Sequence, residues 1–345
     1  MDKSRGRAKG RAKRPDEFEL IRRFFAPLAA KAPGAFGLTD DAAAVAVAPG
    51  RRLIVTTDAL VAGVHFPEDE SPQSVAARLI GVNLSDLAAM GATPEAYTMA
   101  IALPRNCNFG WIKAFADELG RQQKTHRVTL IGGDTVATGG PLTVCLTALG
   151  SVAKGRELRR NGARAGDLIY VSGTIGDATL GLKVVRDGIA GLGKRHAKAL
   201  VGRYRRPQPR VRLGLGLVGL ATAAIDVSDG LIADLGHVAR TSRCIAKIDV
   251  ERVPLSAAAR AAIALDPRLR EQTLTGGDDY ELVFTARPSR RKAVAALARR
   301  LGLPLTEIGR MRRAMGGGSS GTHPVDVRDS AGRRVPLART GYRHF

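Results

Sequence analysis

The sequence predicts two mixed α/β domains, α+β in type, preceded by a short basic tail, and three observations carry that expectation. A chain of 345 residues suits roughly two domains of about 150 residues each. Its 44% hydrophobic and 25% charged residues are the composition of a globular protein and exclude a fully disordered one. Short β-branched runs alternate with segments of helical periodicity, once over residues 16–152 and again over 153–345.

Residues 1–15 are basic, acid-poor and without apolar periodicity, which predicts a disordered tail. In DEFELIRRFFAPLA, Phe18, Leu20, Ile21, Phe24, Phe25 and Leu28 fall largely at helical spacing behind Asp16 as cap. RRLIVTTDAL is short and β-branched, as a buried strand is, and SVAARLIGVNLSDLAAMG is helical, closing on Gly91. YTMAIALP is a strand, FGWIKAFADELGRQQ a helix, and VTLIGGDT and LTVCLTALGSV two more strands. The second unit opens with RRNGARAGDLIYVSG, whose strand is Leu168 to Val171. Helices are expected at DATLGLKVVRDG, RVRLGLGLVGLAT, GLIADLGHVARTS and RRKAVAALARRLG, strands at CIAKIDV and YELVFTA, and a flexible loop at GGGSSG, residues 316–321.

Composition also narrows the function classes. No run approaches the ~18 apolar residues of a membrane helix, and the N-terminus lacks the apolar core of a secretory signal, so a cytoplasmic location is expected. Cys107, Cys145 and Cys244 lie far apart without C-x-x-C spacing, against a disulfide framework or a zinc site; reduced, mostly buried thiols are expected. The formal charge of +22 invites nucleic-acid binding. However, seven of the 54 basic residues crowd into the first 14 positions, most others are scattered arginines, and aromatics are only 4% of the chain. A solvated Arg-rich surface fits these facts better.

Two phosphate signatures are absent: there is no G-x-x-x-x-G-K-[ST] run and no kinase-type H-R-D with a following D-F-G. A G-x-G-x-x-G at Gly214, Gly216 and Gly219 lacks the preceding strand of a dinucleotide site and suits a helix with small residues on a packing face. The aspartates of this basic chain collect instead at strand ends and Gly/Ser/Thr turns: Asp40 and Asp41, Asp58 after Thr56 and Thr57, Asp86, Asp134, Asp226 and Asp229 around Ser228, and Asp278 and Asp279. An Asp beside Gly or Ser ordinarily forms a turn or caps a helix. Six such sites gathered together would repel unless a cation sat among them, and magnesium, which takes a few carboxylates plus substrate phosphates, is the natural one. Neighbouring glycines let phosphate oxygens reach the backbone. The residues thus point to magnesium-dependent phosphate chemistry.

In order and spacing these motifs resemble the thiamine-monophosphate kinase family, within the aminoimidazole ribonucleotide synthetase superfamily. The likeness runs from DEFELIRRFF through TTDALVAGVHF, NLSDLAAMGATP, LIGGDT, RNGARAGD, AIDVSDGLIADLGH and LTGGDDYELVF to GYRHF. It implies two α/β domains of the aminoimidazole ribonucleotide synthetase-like fold, with N-terminal domains pairing in a homodimer. It also implies ATP-dependent phosphorylation of thiamine monophosphate with several Mg²⁺ ions. Carried over by position, the metal ligands are Asp41, Thr56, Thr57, Asp58, Asp86, Asp134, Asp226 and Asp229. Nucleotide contacts are Gly133, Asp134, Arg160 and Ser228, and substrate contacts are His65 and Asp278. No general base or covalent nucleophile is implied, since the acceptor is a phosphate oxygen.

Two departures stand out. Thr39 replaces a glycine usual before the paired aspartates, so the turn must avoid strongly positive φ or bear strain there. Arg339 stands where an aromatic usually covers the substrate ring, and the organic half of the substrate is expected to be held differently. Selenophosphate synthetase, a superfamily rival, uses a reactive Cys or selenocysteine near its N-terminus, whereas the first cysteine here is Cys107; a hydrogenase-maturation relative needs a C-terminal Cys, whereas this sequence ends in His344 and Phe345. Another ATP-dependent member of the superfamily and a basic nucleic-acid-binding protein remain the alternatives.

Overall fold

A computed structural model describes residues 17–314 and 324–342. The expected tail over residues 1–15, the Asp16 cap and the loop at 316–321 lie outside the described residues. The first helix comes in pieces: α1 (Glu17–Leu20), a π-helical turn (Ile21–Phe25) and α2 (Ala26–Ala29). The sequence pattern predicts one continuous helix; Pro27 has no N–H to give the carbonyl of Arg23 and its ring crowds it. The ladder shifts register just before it, with the Ala26 N–H donating to the Ile21 carbonyl.

The N-terminal sheet follows from β1 (Arg51–Val61), α3 (Pro72–Ala89), β2 (Thr93–Pro104), α4 (Phe109–His126), β3 (Thr129–Thr138) and β4 (Thr143–Ala153). Its order is β1-β4-β2-β3, with β4 antiparallel to both neighbours and β2 parallel to β3. One face is packed under α3 and α4 through Leu79, Ile80, Leu87, Phe115 and Leu119, each contributing roughly 1.5–3 kcal/mol by burial. The other face carries Val55 and Val136, which are 55% and 48% exposed.

The second sheet is built from β5 (Leu168–Ser172), α5 (Asp177–Arg186), α6 (Lys194–Arg205), α7 (Val211–Leu217), β6 (Ala223–Asp226), α8 (Leu231–Thr241), β7 (Cys244–Asp249), α9 (Ala257–Leu265), α10 (Leu269–Thr275), β8 (Leu282–Ala286), α11 (Arg291–Leu301), β9 (Leu305–Arg313) and β10 (Val325–Arg328). Its order is β10-β7-β9-β5-β8-β6, and only β10 and β7 pair in parallel among the described residues. Both faces are covered, one by α8 over Ile169, Val171 and Val283, the other by α7 and α11 over Leu168, Tyr170 and Phe284. Every residue of β8 is therefore buried.

Helix α3 joins the two halves. Ser71 caps it, its hydroxyl accepting from the Ser74 N–H at 3.2 Å, and Gly91 ends it at φ 68°. Being apolar on nearly all sides it is buried on nearly all sides, against the N-terminal sheet and against α6, α7 and β6. A Cβ at Gly214 of α7 would stand 2.1 Å from the Ala88 carbonyl oxygen, so the G-x-G-x-x-G run is a helix-packing face. The cysteines are free, but only Cys244 is buried; Cys107 and Cys145 are half-buried, against the expectation of mostly buried thiols, because Cys107 follows a strand end and Cys145 points to the uncovered sheet face.

Candidate active site

Strand alternation divides the TTD run of β1. Thr56 and Asp58 face α3, where the Thr56 hydroxyl donates to Asp86 Oδ2 at 2.5 Å. Thr57 points to the opposite face and shares a hydrogen bond of 2.8 Å with the Thr147 hydroxyl. Asp226 ends β6 almost fully buried and accepts from the Ser85 hydroxyl of α3 at 2.7 Å. Asp58, Asp86 and Asp226 thus gather where α3 passes between the two sheets.

Their titration reflects that crowding. Burial, and then the charge of Asp86, pushes Asp58 up from 3.8 to about 6. Burial and the neighbouring Asp86 push Asp226 up to about 7, against the pull of the Ser85 hydroxyl and Arg160. Asp86 itself is raised by burial, opposed by its Thr56 bond and by Arg160. Asp234, one turn into α8, is raised further by burial and by Asp226 and Asp229, while its Oδ2 accepts the backbone N–H groups of Asp229 and Gly230 at 3.0 and 3.1 Å. Carboxylates held close together in partial burial are disposed to take a hard cation. Among the described residues no three His, Cys, Asp or Glu side chains are arranged to hold a metal ion alone. Magnesium does not require that, since it completes its shell with water and substrate phosphates.

Ser228 and Asp229 follow β6 and meet the GGDD turn. The Ser228 carbonyl accepts from the Asp278 N–H at 2.8 Å, and a Cβ at Gly277 would stand 2.1 Å from that carbonyl oxygen, so only glycine permits the approach. A cavity of about 1060 Å³ opens beside this turn, walled by Thr57, Asp58, His65, Arg78, Ser228, Asp229, Asp278, Tyr280 and Arg339, among others. His65 Nδ1 accepts from the Val61 N–H at 3.1 Å, leaving Nε2 as its second ring nitrogen. Arg160 is exposed, near enough to Asp86 and Asp226 to lower both, and its carbonyl is held by the hydroxyls of Thr241 and Ser242.

Asp41, Gly133 and Asp134 occupy a different neighbourhood, a pocket of about 320 Å³ that also includes Asp40, Leu38 and Ile131. By register Asp134 lies level with Ala100, Cys145 and Ala59, three strand spacings, or about 14 Å, from β1. Within one chain it is therefore apart from Asp58. Thr39 adopts φ −112°, and the positive φ values fall on Phe36, Gly37 and Leu38 instead, so the substituted turn carries its strain upstream.

Residues 39–152 match the family of AIR synthase related proteins, N-terminal domain, and residues 164–318 match the corresponding C-terminal domain. The thiamine-monophosphate kinase of Escherichia coli strain K12 is 40% identical over 330 residues, covering 95% of this chain and 98% of that protein. The chain belongs to the thiamine-monophosphate kinase family. The crystal structure of thiamine-monophosphate kinase from Stenotrophomonas maltophilia K279a has 42% identity and a TM-score of 0.80, covering 90% of this chain and 96% of that one. A structure of AaThiL complexed with AMPPCP and TMP has 30% identity and a TM-score of 0.75, covering 95% and 97%.

Some residues of the site are not among those the sequence motifs single out. Arg78 and Tyr280 line the main cavity, and Asp234 braces the Asp229 turn. Arg78 had a readable signal: in the 18 residues of α3 it and Asp86 are the only charges. Asp279, beside Asp278, accepts the Gly176 and Ala178 N–H groups at 2.6 and 3.1 Å and so holds the start of α5; burial pushes it to about 8. Arg339 is exposed on the cavity wall next to Glu271, with Tyr342 on the same wall three positions on.

Proposed function

We propose that the chain transfers the γ-phosphoryl group of ATP to thiamine monophosphate, giving thiamine diphosphate and ADP. One observation carries this reading: a single cavity is walled by Thr57, Asp58, Ser228 and Asp229 together with His65, Asp278 and Arg339. Its 1060 Å³ stands at the top of the range of roughly 300–1,000 Å³ usual for ligand pockets, room for a nucleotide beside a second phosphorylated molecule. The names of the family's members and the AMPPCP and TMP bound in one of them support the same substrates.

The acceptor oxygen is already anionic at neutral pH, so no side chain need remove a proton. Transfer forms a bond between that oxygen and the γ-phosphorus, breaks the bond to the β–γ bridging oxygen, and leaves ADP with the electron pair. The obstacle is repulsion between two polyanions. Arg160 offers a planar donor fork to phosphate oxygens, with Ser228 and the Gly133–Asp134 backbone as further nucleotide contacts. His65, Asp278 and Arg339 would receive the organic half of the acceptor. Asp41, Thr56, Thr57, Asp58, Asp86, Asp134, Asp226 and Asp229 would be the metal ligands: they present only oxygen donors, burial raises Asp58, Asp86 and Asp226, and the charge of Asp86 raises Asp58 and Asp226 further, a set that suits a hard dication. Magnesium held by these residues would supply charge neutralisation and alignment of the phosphates.

A homodimer through the N-terminal domains belongs to the same proposal. Part of the sheet face away from α3 and α4 is covered by α2 and the 33–38 turn over Ile131 and Leu149, but the rest carries exposed Val55 and Val136 as well as Thr57 and Asp134, and a second copy laid on it would bring further ligands to residues that stand apart in one chain. Domain limits of 16–152 and 153–345 belong to the proposal as well, supported by the division into two sheets with β4 reaching Ala153 at the junction, and ATP as donor argues for the cytoplasm. Incubation with ATP, magnesium and thiamine monophosphate, with chromatographic detection of thiamine diphosphate, tests the reading.

A further inference from the structure

Arg78 is a guanidinium only 4% exposed, on a helix whose one other charge is Asp86, and a buried charge requires partners. It has them on the far side of the joint between the two halves. Its Nη2 pairs with Asp278, its Nη1 donates to the Tyr204 carbonyl at 2.9 Å, and its guanidinium carbon stands 4.6 Å from the centre of the Tyr204 ring. The Nε is buried without a hydrogen-bond partner among the described residues, a loss the side chain accepts to hold this pose.

Asp278 needs such a tether. Its backbone sits at φ 75°, in the left-handed region, and Tyr280 two residues on is at φ 50°. Arg78 and the Tyr280 hydroxyl both donate to Oδ1, the latter at 3.3 Å, which leaves Oδ2 as the oxygen available to a ligand. Tyr204, stacked on Arg78, donates its hydroxyl to the His65 carbonyl at 3.4 Å. Arg78 therefore touches the supports of both His65 and Asp278, and it lines the same cavity as they do.

We propose that Arg78 is a positioning residue for the cationic, organic half of the acceptor, acting through Asp278 and, by way of Tyr204, on the His65 segment. The proposal rests on the phosphotransferase reading above. A thiazolium is drawn to a carboxylate oxygen held at one place; on a left-handed turn without the guanidinium, that oxygen swings among rotamers and the attraction is diluted. The planar fork of Arg spans Asp278 and the Tyr204 carbonyl at once, which the single ammonium of Lys does not.

Steady-state kinetics of the full-length wild type, Arg78→Met, Arg78→Lys and Asp278→Asn, with KM measured separately for thiamine monophosphate and ATP, decide the matter. Loss of a charge-assisted hydrogen bond predicts a KM for thiamine monophosphate about 10-fold or more higher in Arg78→Met, an intermediate rise in Arg78→Lys, and kcat and the KM for ATP within about 3-fold of wild type. Adding Arg78→Met to Asp278→Asn should raise the same KM by less than about 2-fold, since the pair acts as one unit. An unchanged KM for thiamine monophosphate overturns the proposal, as does a parallel loss in both KM values and kcat with a lowered Tm, which marks a merely structural arginine. If Arg78→Met does not fold, Arg78→Lys decides: a wild-type KM for thiamine monophosphate in that variant rejects the role. A wild-type chain that leaves thiamine monophosphate unphosphorylated refutes instead the phosphotransferase reading, and the positioning role with it.

Discussion

Asp86→Asn separates the charge of the carboxylate group from its shape. The amide keeps an oxygen for the Thr56 hydroxyl, now 2.5 Å from Oδ2, and removes one anion from among Asp58 and Asp226. Losing one electrostatic element of a transition-state clamp costs on the order of 10²-fold to 10³-fold in kcat. Stability should move the other way. Asp58 is displaced from 3.8 to about 6, worth roughly 3 kcal/mol at about 1.4 kcal/mol per pH unit, with burial the larger cause and Asp86 the second. Removing Asp86 then returns about 1 kcal/mol near pH 8, on the order of 2 °C in Tm for a protein of this size. The assay is kcat across a magnesium titration, beside metal-free thermal melts of both proteins. Near-normal kcat at modest magnesium, or a metal-free Tm several degrees lower, would refute the assignment of Asp86 to a charged site built at the expense of stability.

The same carboxylates predict a pH profile. Their folded values, about 6 for Asp58 and about 7 for Asp226, exceed the ordinary 3.8, so the folded chain binds more protons than the unfolded one between about pH 4 and 7. Metal-free stability should therefore fall as pH rises through that window, and millimolar magnesium should restore it at pH 8; melts that are flat in pH and indifferent to magnesium contradict this. Elsewhere, Glu281 is fully buried and accepts from Arg203 at 2.8 Å, from Arg210 Nε at 2.6 Å and from the Ser172 hydroxyl at 2.6 Å. Glu281→Gln leaves two guanidinium groups without their anion and should cost about 3 kcal/mol in chemical denaturation, and a loss below about 1 kcal/mol would show that solvent compensates them.

What could be read from the sequence depended on how each element meets its surroundings. β1 and α4 lie where their patterns predict, but β1 is not the buried strand its β-branched run suggests: it is the sheet's edge strand, with only Leu60 buried and Val55 exposed, since burial depends on what covers the strand. Helix α6, KRHAKALVGRYR, shows too little apolar pattern to be read from the sequence, because its mostly charged face is solvated and only Leu200 and Tyr204 are buried. β9, LTEIGRMRR, gives no strand pattern because a bulge at Ile308 puts its buried residues, Ile308 and Met311, three apart among exposed arginines, and β6 and β10 have only four residues each. α10 is too short to show a period, whereas α9 does carry a local signal, six alanines in nine residues behind the Ser256 cap, but lacks the large apolar side chains that mark a helical face. At the site, the aspartate turns were legible because Gly, Ser and Thr surround them. The separation of Asp134 from Asp58 is not, since it depends on the strand order and register of β1, β4, β2 and β3. The role of Arg78 is hidden for a related reason: its partners Asp278 and Tyr204 are 200 and 126 residues away in the chain.

The most direct test of the central claim is a single end-point assay. Purified protein is incubated with ATP and magnesium and with either thiamine monophosphate or free thiamine, and the thiamine phosphates and ADP are separated by chromatography. Thiamine diphosphate and ADP are expected in equal amounts from thiamine monophosphate, with no phosphorylation of free thiamine, whose hydroxyl is uncharged at neutral pH and would first have to lose a proton. Equal turnover of free thiamine, or ADP formed without thiamine diphosphate, would contradict it.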